Sequence, residues 1–139
     1  MKLCLTASAL AVALAMLTAA CSGNDGEIKL DAAAAPLTDK GGDALFTLEI
    51  VKARDGGYPS DTFKVKVTPD GKEAIAVSCS LTDGNANKLL DVGDKVVCVE
   101  PADNALSVDI AGKEANVELF ATIDGSEERI GDATWTPAK

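Results

Sequence analysis

Apolar and polar side chains alternate along most of the chain after Asp43. Phe46, Leu48 and Ile50, for example, are separated by two polar residues. A period of two is typical of strands with one buried face, and no stretch beyond the first twenty residues shows a helical apolar stripe. The alternation predicts seven strands, around residues 46–50, 63–67, 75–81, 96–98, 106–110, 117–123 and 131–135.

Turn residues separate these segments, mostly at intervals of 10 to 15 residues. Asp-Gly pairs and similar dipeptides permit the positive φ that hairpin turns require. This spacing predicts an all-β fold, a two-sheet sandwich of immunoglobulin-like architecture rather than a closed barrel. Antibody domains place Trp between their cysteines, whereas Trp135 follows both Cys79 and Cys98, so the prediction concerns architecture and not family.

One short sequence occurs twice, as Gly71-Lys72-Glu73-Ala74 and as Gly112-Lys113-Glu114-Ala115. Aligning the two copies places apolar positions of one on polar positions of the other, which would turn side chains to the opposite face of a sheet. Shared turn chemistry explains the recurrence at least as well as duplication does.

The first twenty residues have the composition of an export signal: Lys2, an apolar run from Leu3 to Leu17, and small residues before Cys21. A run of about 15 apolar residues is shorter than the roughly 20 that a membrane-spanning helix needs. The segment 17–21 resembles the relaxed form of the bacterial lipobox. That resemblance implies cleavage before Cys21, acylation of Cys21, and an envelope protein held on a membrane. Ser22 after the cysteine implies the outer membrane in a diderm bacterium.

Domain boundaries follow from this interpretation. Residues 1–20 are the signal peptide, residues 21–43 are the lipidated cysteine and a flexible tether, and residues 44–139 are one β-sandwich domain. The stretch 22–43 is small, polar and rich in glycine, which favours a tether. The alternative is that Ile28 to Leu30 forms a first short strand.

The charge of the chain limits its possible partners, and its cysteine content predicts a disulfide. Without Lys2 the mature part has 12 basic and 22 acidic side chains, so nucleic acid is an improbable partner, and a basic protein or a bound cation fits better. Solubility alone is the preferred explanation of the acidity. In an oxidising envelope compartment, Cys79 and Cys98 should form a disulfide, either between adjacent strands or between the sheets.

The sequence predicts neither an enzyme nor a bound cofactor. It contains no histidine to activate a serine nucleophile, no phosphate-binding glycine loop and no dinucleotide fingerprint. The segment 83–94 resembles a calcium-binding EF-hand or dockerin loop in its spacing of oxygen ligands. Its weak candidate ligands are Asp83, Asn85, Asn87, Asp91 and Asp94. Position six is Lys88 rather than glycine, so a polar loop inside the disulfide is the preferred interpretation.

Few aromatic residues are present, and two of them are candidate contacts for a partner, with ordinary packing as the preferred interpretation of both. Tyr58 lies in a predicted loop beside Gly57 and Pro59. Phe120 has the parity of the polar positions in its strand, which would place it on an outer face. Trp135 shares its face with Ala133 and is expected to fill the core rather than to bind sugar.

These observations favour a lipid-anchored, non-catalytic binding module of the cell envelope. One alternative is an acidic inhibitor of a secreted basic hydrolase, because lysozyme inhibitors are among the small acidic envelope lipoproteins. Another is a calcium-stabilised adhesion or assembly domain that uses the loop at Asp83.

Overall fold

The computed structural model describes residues 26–82, 84, 86–101, 106 and 110–139. This part of the chain forms ten strands joined by turns and loops, and it contains no α-helix. In chain order the strands are β1 (Glu27–Ala32), β2 (Ala44–Lys52), β3 (Tyr58–Pro59), β4 (Lys64–Pro69), β5 (Ile75–Ala76), β6 (Ser78–Thr82), β7 (Leu89–Leu90), β8 (Lys95–Val99), β9 (Ala115–Ile123) and β10 (Ser126–Trp135).

Two four-stranded antiparallel sheets form the two layers of the fold. The first sheet has the order β1-β2-β8-β6, and the second has the order β10-β9-β4-β5. A third, two-stranded sheet of β3 and β7 contributes Tyr58 and Leu90 to the same core. The prediction of an all-β, two-sheet sandwich is confirmed, with ten described strands in place of the predicted seven.

One predicted strand is divided between the two sheets. The alternation from Ile75 to Leu81 suggested a single strand, but β5 pairs with β4 in the second sheet while β6 pairs with β8 in the first. The chain crosses at Val77, whose N–H still donates to the carbonyl of Val65. Because the side-chain alternation continues through the crossing, the sequence pattern alone does not reveal it.

On the side of the sandwich away from this crossing, β1 of the first sheet packs against β10 of the second. A Cβ atom at Gly131 would lie only 3.3 Å from atoms of Ile28, so glycine permits β10 to approach β1 closely. The pairing of β10 with β9 is irregular between Arg129 and Gly131, as expected of a bulge.

The domain begins earlier than predicted. Residues 27–32 are not part of a tether, because β1 pairs with β2 from Ile28↔Ile50 to Ala32↔Phe46. The alternative of a first strand at Ile28 to Leu30 is therefore correct. Burial of Ile28 against the core provides the free energy that a flexible linker lacks.

Inward-facing side chains of both sheets form one hydrophobic core. Trp135 is buried there, with its ring 5.1 Å from that of Phe46 in an edge-to-face contact. The prediction that Trp135 fills the core is confirmed. Other core members are Leu48, Ile50, Val65, Val67, Val96, Val117, Leu119, Ala121 and Ile130.

Cys79 and Cys98 form the predicted disulfide. They are direct neighbours across β6 and β8, with their Cα atoms 4.1 Å apart. The bond therefore joins two strands of one sheet, whereas antibody domains use theirs to bridge the two sheets.

The strand predicted at 106–110 lies mostly outside the described residues. Leu106 and Ile110 are described, and both side chains are buried.

Candidate interaction surface

Tyr58 is buried rather than exposed. Only 2% of its surface is accessible. The residue belongs to β3, which pairs with Leu89 and Leu90 of β7, and Arg54 lies over its ring at 5.3 Å from the centroid. The interpretation of Tyr58 as an exposed partner contact is therefore wrong. The neighbouring Gly57 and Pro59 suggested a loop, but residues about thirty positions away pair with this segment and cover it.

Phe120 lies on the outer face of the second sheet, as its parity in the sequence indicated. It occupies the central part of β9, opposite Lys64 of β4 and Arg129 of β10. The side chain is half-buried. The Nζ atom of Lys66 lies 4.6 Å from the ring centroid, a cation–π geometry.

Paired charges surround this aromatic ring. Lys66 Nζ is 2.8 Å from a carboxylate oxygen of Glu127, and Lys64 Nζ is 3.6 Å from the other. Arg129 contacts Glu118 at 3.2 Å. Hydrogen bonding to Lys66 lowers the pKa of Glu127. Partly exposed pairs of this kind contribute little to stability, about 0–1 kcal/mol each. We call the outer face formed by Phe120 and these five charged residues the Phe120 surface.

The Phe120 surface resembles the general anatomy of a protein interface. An aromatic side chain occupies its centre, and charged groups of both signs form its rim. Asp132, opposite Glu118 on β10, adds a third carboxylate to balance the three cations. This surface is thus nearly neutral on a strongly acidic chain.

The described part of the candidate calcium loop is organised by its own hydrogen bonds. The buried Asp94 carboxylate accepts the backbone N–H groups of Gly84 and Asp91, both at 3.0 Å. The Asn87 side-chain amide donates to the Asp91 carboxylate at 2.6 Å. Lys88 has a φ of 62°, the left-handed conformation that a calcium loop assigns to glycine.

The loop is followed by a strand, β8, where an EF-hand would have a helix. Asp83 and Asn85 lie outside the described residues. Among the residues that are described, no group of three or more acidic or cysteine side chains is arranged to hold a metal ion.

One unusual group, the side chain of Glu100, is not indicated by any pattern in the sequence. It is 1% exposed, and its carboxyl oxygens accept no hydrogen bond from the described residues; the neighbouring Asp43 carboxylate is the acceptor for the protonated form of the group. Burial raises the pKa of Glu100, and the neighbouring Asp43 carboxylate raises it further. The backbone N–H of Thr38 instead lowers the pKa of Asp43, so Asp43 is the ionised member of the pair.

The two copies of Gly-Lys-Glu-Ala lie at the same end of the second sheet. Pro69 pairs with Ala115, which places the turn after β4 beside the turn before β9. A cleft of about 460 Å³ lies between them, lined in part by Asp70, Lys72 and Glu114. These charged groups are exposed to water.

No protein-family model, curated protein or solved structure matches the chain. Within the described ranges there is also no apolar helix of membrane-spanning length. Cys21, the predicted lipidation site, precedes the first described residue.

Proposed function

We propose that this protein is a membrane-anchored, non-catalytic interaction module of the bacterial cell envelope, and that it binds its partner through the Phe120 surface. The anchor in this proposal is the acylated Cys21, supported by the resemblance of residues 17–21 to a lipobox. The observation that carries the interaction function is the half-buried Phe120 ring on an outer sheet face, ringed by paired charges.

The energetic reason is that a few desolvated aromatic residues dominate binding at protein interfaces, while rim charges contribute mainly to specificity and association rate. Phe120 occupies a middle strand, where a partner can cover it from all sides. The flanking Lys66 and its partner Glu127 lie on the same face and are both partly exposed, so both are accessible to the charges of a partner.

The partner in this proposal is a basic protein. The mature chain has ten more acidic than basic side chains, whereas the Phe120 surface itself is balanced. A net charge of this size attracts a basic partner over distances near the Debye length, about 8 Å at physiological ionic strength. Docking then depends on the aromatic centre and on matching of the paired charges.

A pull-down from envelope extract tests this proposal. Full-length protein with a C-terminal tag, Phe120→Ala, and Glu127→Gln as a single rim change would be compared at low and at high salt. We expect one basic protein to be retained by the wild type at low salt, released as salt rises, and lost with Phe120→Ala more than with Glu127→Gln.

The same assay refutes the proposal if the wild type and Phe120→Ala retain the same proteins in equal amounts, or if nothing is retained reproducibly at low salt. Abolition of a recovered hydrolase's activity at stoichiometric amounts would identify the module as an inhibitor, whereas unchanged activity would identify a scaffold.

A further inference from the structure

β6 is an edge strand without charge or proline. Its sequence is Ser-Cys-Ser-Leu-Thr, and it forms one end of the first sheet, with β8 as its only strand partner in the described chain. Exposed edges template pairing with other chains, and most proteins protect them with charged side chains. The other edge of the same sheet, β1, follows this rule with Glu27, Lys29 and Asp31. The edge at β6 therefore lacks the charged side chains that protect the edge at β1, although the chain as a whole is strongly acidic.

The register of β6 shows which backbone groups face outward. The Cα atoms of Cys79 and Cys98 are 4.1 Å apart, the short separation of a non-hydrogen-bonded antiparallel pair. At such a pair the backbone N–H and C=O groups are directed away from the partner strand. Cys79, and Leu81 two residues further, therefore direct their backbone groups from β8 toward the open edge.

A cavity adjoins this edge on the inner side. It has a volume of about 250 Å³, and its lining includes the apolar Phe63, Val65 and Val77 beside Cys79, together with the charged Asp61 and Lys64. It forms because the chain leaves the second sheet at Val77, so that the beginning of β4 is left without a neighbour on that side. A cavity of about 150 Å³ already accepts a benzene-sized group, so this one has room for a leucine side chain.

We propose that the protein forms a two-fold symmetric dimer by pairing β6 with β6 of a second copy. With the axis at Ser80, Cys79 of one copy lies opposite Leu81 of the other, and Ser78 lies opposite Thr82. Cys79 and Leu81 direct their backbone groups toward each other, as hydrogen-bonded pairs require, and Ser80 faces its own equivalent in a non-hydrogen-bonded pair. The two sheets join into one continuous eight-stranded sheet.

The side chains of β6 are self-complementary in this register. On the outer face, hydroxyl groups of Ser78, Ser80 and Thr82 lie opposite hydroxyl groups, a favourable cross-strand combination. On the inner face, the half-buried Leu81 of each copy lies opposite Cys79 of the other, next to the cavity that Cys79 lines. β6 has no charged residue, so no like charges oppose each other within the paired strands. The sequence of β6 is thus complementary to that of β6 in a second copy.

Disulfide trapping tests both the dimer and its register. In full-length protein, Ser80→Cys would place two thiols across the axis at a Cα separation of about 4.5 Å, within disulfide range. Ser78→Cys is the matched control on the same strand. Its two equivalents would lie about 14 Å apart, four residues at about 3.4 Å each, which is too far to bridge. Mild oxidation and non-reducing mass analysis would measure the covalent dimer.

We expect Ser80→Cys to yield at least tenfold more covalent dimer than Ser78→Cys, with the Cys79–Cys98 bond intact in both. A second pair of variants gives an independent measurement. Ser80→Lys, which opposes two like charges at the axis, should weaken the dimer at least tenfold in sedimentation equilibrium, whereas Ser126→Lys at an exposed position of β10 should not. Equal cross-linking of both cysteine variants, or a wild type that is monomeric at all concentrations, would overturn the proposal.

Discussion

Replacing Glu100 by glutamine should make the protein more stable at neutral pH, because it removes a buried carboxyl group whose pKa is raised. Glu100 follows β8 directly and is held in place by its backbone, which bonds to Asp43 and Gly42. Its side chain is 1% exposed, and its carboxyl oxygens accept no hydrogen bond from the described residues. Ionisation of this carboxyl group in the folded protein is therefore costly.

The pH dependence of stability follows from the direction in which the pKa of Glu100 is shifted. The pKa of Glu100 is raised above its ordinary value of 4.5, so the folded state keeps a proton that the unfolded state releases. The contribution of Glu100 to stability is thus fully present below pH 4.5, and it is lost as pH rises toward the pKa of this group in the folded state. The pKa of Asp43 is lowered below 3.8, so its contribution is lost only at more acidic pH. The two effects occupy separate pH ranges.

The gain in the free energy of unfolding from Glu100→Gln has an upper bound. Holding a proton at pH 7 against an unfolded pKa of 4.5 costs about 3 kcal/mol, at roughly 1.4 kcal/mol per pH unit. Glutamine has nearly the same shape and stays neutral. We therefore expect Glu100→Gln to increase the free energy of unfolding at pH 7 by about 1–3 kcal/mol, and by little near pH 4.

Urea unfolding from pH 4 to pH 8 would measure this difference, with the fluorescence of Trp135, the only tryptophan in the sequence, as the signal. Glu73→Gln, a change at an exposed carboxylate, is the control. The reasoning is refuted if Glu100→Gln and the wild type have parallel stability profiles over this pH range, or if Glu100→Gln is the less stable protein at pH 7.

Three further predictions concern the anchor, the disulfide and the loop before β8. Cys21→Ser should move the protein from the membrane fraction to the soluble fraction and leave its precursor uncleaved by the lipoprotein peptidase; equal membrane retention would contradict acylation. The intact protein should show no alkylatable thiol at Cys79 or Cys98. Replacing both cysteines by alanine should lower the free energy of unfolding in urea by about 3 kcal/mol, as expected for the loss of a bond that closes a loop of about 20 residues. An unchanged unfolding midpoint would show that the bond does not stabilise the fold. Asp94→Ala should cost about 2–4 kcal/mol, because two backbone N–H groups lose their acceptor, and a loss under 0.5 kcal/mol would exclude that role.

Local periodicity predicted much of the fold correctly. The alternation around Phe46 and around Val117 identified β2 and β9, because one face of each strand is buried and the other is not. The same parity placed Phe120 on the outer face. Pairing of Cys79 with Cys98 followed from their number and the expected compartment.

Features that depend on distant parts of the chain were not predictable in this way. The alternation from Ile75 to Leu81 is uninterrupted, yet the strand divides at Val77 because its two halves pair with different sheets. Tyr58 is covered only through pairing with β7. Glu100 is buried although glutamate at the end of a strand is usually solvated, and its environment is created by residues near Asp43, about 57 positions earlier.

The affinity of the recovered basic partner for three purified variants tests the central claim most directly. Titration calorimetry would compare the wild type with Phe120→Ala and with Val51→Ala, a 40% exposed apolar residue on the other sheet. An aromatic residue at the centre of an interface contributes about 2 kcal/mol or more, so Phe120→Ala should weaken binding roughly 30-fold. Val51→Ala should leave the affinity unchanged within twofold. Binding by Phe120→Ala as tight as that of the wild type would contradict the assignment of this surface.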